Sequence, residues 1–116
     1  TQNADQTFGT EPTTFVVTAA GLDYIIDGVM HATITVKRGS TYIFDVSDVN
    51  AAHPFRLSTT PDGAWGGGVA YDDGVSYVDS GTIAWMVPEN LSNGTMYYWC
   101  TLHAGMAGSG VIQVID

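Results

Sequence analysis

Hydrophobic and polar residues alternate along two stretches of the chain, Ala32–Val36 and Thr41–Val46. This period of two is typical of strands that bury one face. Other short segments are rich in β-branched and aromatic residues, which also favour strands. These segments are Thr13–Ala19, Asp23–Ile26, Ser76–Asp79, Thr82–Val87, Thr95–Cys100 and Gly108–Ile115, and one more begins at Phe55.

No segment shows a sustained helical period of about 3.6 residues. Turn signals such as Asp27-Gly28 and Asn93-Gly94 separate the strand segments. We therefore predict an all-β protein, a Greek-key β-sandwich of about seven or eight strands. The predicted core residues are Phe15, Val17, Ile34, Val36, Phe44, Val46, Phe55, Leu57, Trp85, Tyr97, Trp99 and Val114.

The length of 116 residues fits a single domain over 1–116, in which the polar residues 1–12 form a loosely held lead-in. The glycine-rich residues 59–74 are predicted to form a long loop. Hydrophobic residues make up 45% of the chain and charged residues 13%, which indicates a globular protein with a core. We expect no membrane span, because no run of about 18 apolar residues occurs.

The charge balance narrows the range of partners. There are 12 acidic and 3 basic residues, for a formal net charge of −9. Duplex nucleic acid is excluded as a partner because phosphate binding needs clustered Lys and Arg, whereas a basic protein is compatible with this charge. The single cysteine, Cys100, excludes an internal disulfide and any zinc site with two or more thiolates.

The N-terminal residues are polar, with neither a basic start nor an apolar segment. Starts of this kind often follow a cleavage site, so we expect an extracytoplasmic protein, periplasmic or secreted, whose signal segment is absent from this chain. Glycosylation sequons occur at Asn90 and Asn93, but such short motifs arise often by chance and do not establish modification.

A candidate metal site lies where the aromatic segment Tyr97–Cys100 ends. Cys100, His103 and Met106 follow one another at intervals of three residues, and His53 opens an earlier predicted strand. One Cys, two His and a Met are the ligand set of a blue-copper centre. The soft thiolate stabilises Cu(I), and imidazole accepts both oxidation states. A loop between Cys100 and His103 is required, because a regular strand cannot direct both side chains to one ion.

Each of these residues has an ordinary structural interpretation when taken alone. A lone Cys is usually a small hydrophobic residue of the core. A lone His usually lies at the surface or has its hydrogen bonds satisfied within the protein, and a Met usually packs in the interior. The combination is specific, because Cys-x2-His-x2-Met directly follows an aromatic strand and His-Pro opens another. The third histidine, His31, has no partner at ligand spacing, so we expect a structural role for it.

The chain resembles the cupredoxins, the small blue-copper family that includes plastocyanin, amicyanin and azurin. The similarity covers most of residues 20–116, and the spacing of Cys100, His103 and Met106 is similar to that of amicyanin. The segments that carry it are Tyr24–Gly28, Ile34–Gly39, Tyr42–Val46, Thr82–Pro88 and Gly94–Gly110. The resemblance implies one type 1 copper centre with His53, Cys100 and His103 as equatorial ligands and Met106 as the axial ligand.

The residue after the first histidine departs from the family pattern. Many small cupredoxins have a polar residue there that braces the site, whereas Pro54 has no N–H, so one hydrogen bond to the Cys100 sulfur is missing. The run His-Pro-Phe-x-Leu resembles the first histidine motif of multicopper oxidases, in which further histidines bind a trinuclear cluster. Those positions are Arg56 and Ser58, and three histidines in the whole chain exclude such a cluster.

Three functions are compatible with this pattern. The first is a carrier of single electrons rather than an enzyme, with His103 as the exit edge inside an apolar patch and a basic redox protein as partner. We expect the patch to contain Pro54, Leu102, Ala104 and Gly105. The second is a copper redox enzyme with an open axial position, beneath residues 63–74, for a small molecule such as a nitrogen oxide. The third is a structural β-sandwich with a coincidental cysteine.

Overall fold

The computed structural model describes residues 12–116, so the predicted lead-in lies outside the described part except for Pro12. The described part is nearly all β, as the sequence predicts. It has ten strands rather than the expected seven or eight, and one 3₁₀ turn at Gly63–Gly66. The strands are β1 (Thr13–Ala20), β2 (Asp23–Ile26), β3 (Val29–Met30), β4 (Ile34–Lys37), β5 (Thr41–Asp45), β6 (Phe55–Ser58), β7 (Val75–Asp79), β8 (Thr82–Met86), β9 (Thr95–Cys100) and β10 (Ile112–Ile115).

The strands form two mixed sheets. The four-stranded sheet has the order β4-β10-β9-β6, and the six-stranded sheet has the order β3-β2-β1-β5-β8-β7. The pairs β4/β10 and β1/β5 are parallel, and the other neighbours are antiparallel. Neighbours such as β6 and β9 are distant in sequence, so the chain crosses between the sheets. The predicted Greek-key β-sandwich is confirmed.

The short strand β3 lies in a segment to which the sequence analysis assigns no strand. Asp27 and Gly28 both adopt positive φ, at 51° and 82°. Positive φ at both central residues is the geometry of a two-residue hairpin turn, so the chain reverses there and β3 pairs with β2. The turn signal at Asp27-Gly28 is therefore correct, and the strand beyond it is too short to show a periodic pattern.

Aromatic side chains fill the space between the sheets. Phe55 is fully buried and lies at the centre of this group. Its ring centroid is 5.1 Å from that of Phe44, 5.3 Å from that of Tyr24 and 5.5 Å from that of Tyr98. Aromatic pairs at these separations contribute beyond the area that they bury. The first residue of β6 is thereby fixed against strands of both sheets.

The sequence-based core is wrong for one residue of β9. Tyr98 is fully buried together with Met96 and Cys100, whereas Tyr97 is half-buried. Three residues at a spacing of two share one face of a strand, so Tyr98 and not Tyr97 faces the opposite sheet. Trp99 is nevertheless buried, because the 3₁₀ turn lies on its ring from the other side.

The last strand begins later than the predicted Gly108. Gly105 and Gly108 adopt positive φ, at 79° and 55°, and both lie in turns, so β10 starts only at Ile112. Residues 101–111 therefore form one long loop between β9 and β10. No helix within residues 12–116 is long and apolar enough to cross a membrane.

We expect the chain to fold without metal, because its core consists of apolar side chains buried between two sheets. Far-ultraviolet circular dichroism of the chelator-treated protein should show a β-rich spectrum and one cooperative thermal transition. A metal ion that binds the native state should raise the transition temperature, since a ligand at 100 times its dissociation constant stabilises the native state by about 2.7 kcal/mol. An unfolded metal-free chain would contradict this account.

Candidate metal centre

The pairing of β6 with β9 brings the candidate ligands to one end of the sandwich. Cys100, the last residue of β9, pairs with Phe55, the first residue of β6. His53 precedes Phe55 by two residues, and His103 follows Cys100 by three. Because the two strands are antiparallel, the segment before β6 and the loop after β9 leave the sheet side by side.

The donor atoms of His53, Cys100 and His103 all lie within 4.8 Å of one another. The Nδ1 atoms of the two histidines are 3.1 Å apart, and Cys100 Sγ is 3.7 Å from His103 Nδ1. Cys100 is fully buried, and both histidines are half-buried. Among the described residues, this is the group of His, Cys and carboxylate side chains whose geometry suits a metal ion.

The arrangement fits a single ion. Nitrogen and sulfur ligands bind Zn²⁺ at about 2.0–2.3 Å, so two ligands of one such ion lie roughly 3–4 Å apart. The two measured donor separations, 3.1 and 3.7 Å, fall in this range. A thiolate with two imidazoles is a donor set of borderline to soft character, which suits copper or zinc rather than magnesium or calcium.

Hydrogen bonds to backbone groups hold the His53 segment in place. The amide of His53 donates to the carbonyl of Val49 at 2.7 Å, and the amide of Phe55 donates to Asn50 Oδ1 at 3.1 Å. The amide of Thr101 donates to the carbonyl of Pro54 at 3.2 Å. Pro54 therefore connects the two ligand segments through its carbonyl, although it has no N–H to offer to the Cys100 sulfur.

The loop after Cys100 is supported by the glycine-rich segment that the sequence predicts as a long loop. The indole Nε1–H of Trp65 donates to the carbonyl of Cys100 at 2.9 Å. The amide of Gly105 donates to both carboxylate oxygens of Asp62, at 3.0 and 3.1 Å. Both contacts fix backbone atoms of the ligand loop, so this segment braces the candidate site.

The sequence analysis did not assign a role to Asp62 or Trp65. Both side chains bond to backbone groups of the ligand loop. Because every residue has such groups, the sequence of the loop does not indicate which side chains will bind it. The one local signal was the turn dipeptide Asp62-Gly63. Its two residues adopt positive φ, at 62° and 53°, and begin the 3₁₀ turn.

Met106 is fully buried and belongs to the core cluster. It lies in the loop after His103, and its carbonyl accepts a hydrogen bond from the amide of Tyr24 at 2.8 Å. Because it is completely buried, Met106 is not part of the apolar surface patch expected around His103. Ligation of a metal by its sulfur stays a prediction.

His31 lies outside the cluster and has a structural partner. Its Nε2 is 2.8 Å from Asp23 Oδ1. Its ring lies so close to Gly108 that a Cβ atom there would collide with it. These contacts agree with the structural role that the sequence analysis expects for His31.

The residues next to His103 in the chain are apolar and exposed. Leu102 is 57% exposed, Ala104 and Gly105 are exposed, and Pro54 is half-buried. These four residues are those of the predicted patch. His103 and His53 are both half-buried, so two of the three donor side chains are partly accessible at this end of the protein.

Comparison with known proteins adds no family assignment. No protein-family model matches the chain, and no curated protein matches it. The chemistry of the site is therefore interpreted from its own geometry.

We expect Gly63→Ala to destabilise the protein by about 1–3 kcal/mol, because its Cβ would collide with the ring of Trp99. The positive φ of 53° adds backbone strain. Urea denaturation measures the loss. Gly94→Ala is the matched control, since a Cβ at Gly94 meets no atom within 4 Å. Equal stability of the two variants would contradict the packing of the turn on Trp99.

Proposed function

We propose that the protein is a mononuclear type 1 copper protein of the cupredoxin kind that carries single electrons between redox partners. The observation that carries this proposal is the convergence of one thiol and two imidazoles within 4.8 Å. These three side chains belong to two segments that the sheet holds side by side. Copper bound there would supply the Cu(II)/Cu(I) couple, which exchanges one electron.

The donor set favours copper over a structural zinc ion. Structural zinc sites are almost always closed by four strong protein ligands. Here the strong donors are three, His53, Cys100 and His103, and the next candidate is the thioether of the buried Met106. A Cys and two His with a weak, distant thioether is the donor set of blue-copper electron-transfer sites.

The surrounding residues hold the donors in place in the absence of metal. Cys100 is anchored at the end of a paired strand, and its carbonyl is held by Trp65. Asn50 and Val49 fix the backbone on both sides of His53. A donor set fixed in this way changes little between oxidation states, and small rearrangement favours fast electron exchange. Burial of Cys100 keeps water from the sulfur.

His103 is partly exposed, and its chain neighbours Leu102, Ala104 and Gly105 are apolar and exposed, which supports an exit edge for the electron there. The formal net charge of −9 favours a redox partner with a basic docking surface, because complementary charge raises the rate of encounter.

Cys100→Ala should abolish the intense visible absorption of the copper-loaded protein, because only a thiolate gives that charge-transfer band. Copper titration followed by absorption spectroscopy measures it. His31→Ala is the control, since His31 lies outside the cluster and the variant loses only the contacts of its ring with Asp23 and Gly108. A Cys100→Ala variant that keeps the band would contradict the proposed ligand set.

Substitution of Met106 tests the axial ligand through the reduction potential. Met106→Leu should raise the potential, because loss of a donor weakens Cu(II) binding more than Cu(I) binding. Met106→Gln should lower it, because a harder oxygen donor favours Cu(II). A tenfold change in relative affinity corresponds to about 59 mV for one electron, and we expect shifts of this order.

Protein-film voltammetry of the three proteins measures these potentials. Equal potentials across the series would show that Met106 does not bind the metal. Combined with a spectral change on adding small anions, that result would favour the copper redox enzyme with an open axial position.

A further inference from the structure

Tyr24 connects the two ligand segments although it lies far from both in sequence. It is the second residue of β2 and is fully buried. Its ring packs edge-on against Phe55, with centroids 5.3 Å apart, directly behind the start of β6. The side chain is therefore held in one orientation beneath the candidate metal centre.

Both polar groups of Tyr24 that donate hydrogen bonds reach ligand-bearing segments. The hydroxyl donates to the carbonyl of His53 at 2.7 Å. The backbone amide donates to the carbonyl of Met106 at 2.8 Å. One residue thus binds the segment before β6 and the loop after β9, at the two residues proposed as first and last ligands.

The hydroxyl of Tyr24 satisfies the carbonyl of His53 in a partly buried place. Without this donor, that carbonyl would lose its hydrogen bond, and the His53 segment would shift to regain one.

The residue that follows His53 makes this bond more important. Pro54 has no N–H, so the backbone there cannot donate to the Cys100 sulfur or to the opposite loop. The other hydrogen bonds near His53 are made by its own amide, the amide of Phe55 and the carbonyl of Pro54. The hydroxyl of Tyr24 is the donor that reaches the carbonyl of His53.

We propose that Tyr24 is a positioning residue of the metal centre, which sets the distance between the His53 segment and the Met106 loop through its hydroxyl and its amide. This inference rests on the proposed function, since it concerns the ligands of the same site. In this proposal a residue of β2 contributes to metal binding, although none of the proposed ligands lies in β2.

The test compares Tyr24→Phe with Tyr98→Phe. Tyr98 is a matched control because it is also fully buried and its hydroxyl donates to a backbone carbonyl, that of Ala32, at the same distance of 2.7 Å. Each variant loses one phenol hydroxyl and one buried hydrogen bond. Ala32 is not a ligand, so a purely structural effect should be similar in both.

Two readouts separate positioning from stability. Zn(II) affinity, measured by competition with a chelator, should fall about 10-fold or more in Tyr24→Phe and remain near the unsubstituted value in Tyr98→Phe. The visible band of the Cu(II) form should shift in Tyr24→Phe alone. Incorporation of 4-aminophenylalanine at position 24, which restores a donor at the same place on the ring, should recover part of the affinity.

Equal Zn(II) affinity and equal band position in the two variants would overturn the inference. Should Tyr24→Phe not fold, 3-fluorotyrosine at position 24 replaces it, since the fluorine strengthens the donor with little change of shape. The Cu(II) band should then shift for position 24 and not for position 98, and no shift at either would overturn the inference. The proposed function fails separately, if the unsubstituted protein binds Zn(II) but shows no thiolate-to-copper band.

Discussion

The pairing of Cys100 with Phe55 is the constraint on which the site depends. It fixes which residues of the two ligand segments face one another, so His53 and His103 meet beside the Cys100 sulfur. A shift of one residue would turn every side chain of β6 or β9 to the opposite face. The aromatic contacts of Phe55 with both sheets oppose such a shift. The packing of the core and the geometry of the donor atoms therefore depend on the same register between β6 and β9.

A second property follows from the way in which the ligand segments are held. Trp65, Asp62, Asn50 and Tyr24 each bond through a side chain to a backbone group in or beside those segments. These four residues come from three different parts of the chain, so the site does not depend on the local conformation of one loop. An electron carrier requires this rigidity, because rearrangement of the ligands between oxidation states slows the exchange of electrons.

Most of the sandwich could be predicted from the sequence, because alternation and β-branched residues mark strands directly. Asp23–Ile26 and Thr95–Cys100 have the predicted bounds. The face of β9 could not be predicted, because five of its six residues are apolar or aromatic and give no alternation. The candidate donors could be found from their residue types, their spacing and their positions at the ends of predicted strands. Asp62, Trp65 and Tyr24 could not be found, because each of them bonds to a backbone group and every residue has such groups.

The spectrum of the copper-loaded protein tests the central claim most directly. One equivalent of Cu(II), added to the reduced thiol form, should give an intense thiolate-to-copper absorption in the visible region. The electron paramagnetic resonance spectrum should show one mononuclear centre with a narrow hyperfine splitting. A pale protein with the wide splitting of a nitrogen and oxygen site, or one that binds no copper, would contradict the assignment of His53, Cys100 and His103 as ligands of one blue-copper ion.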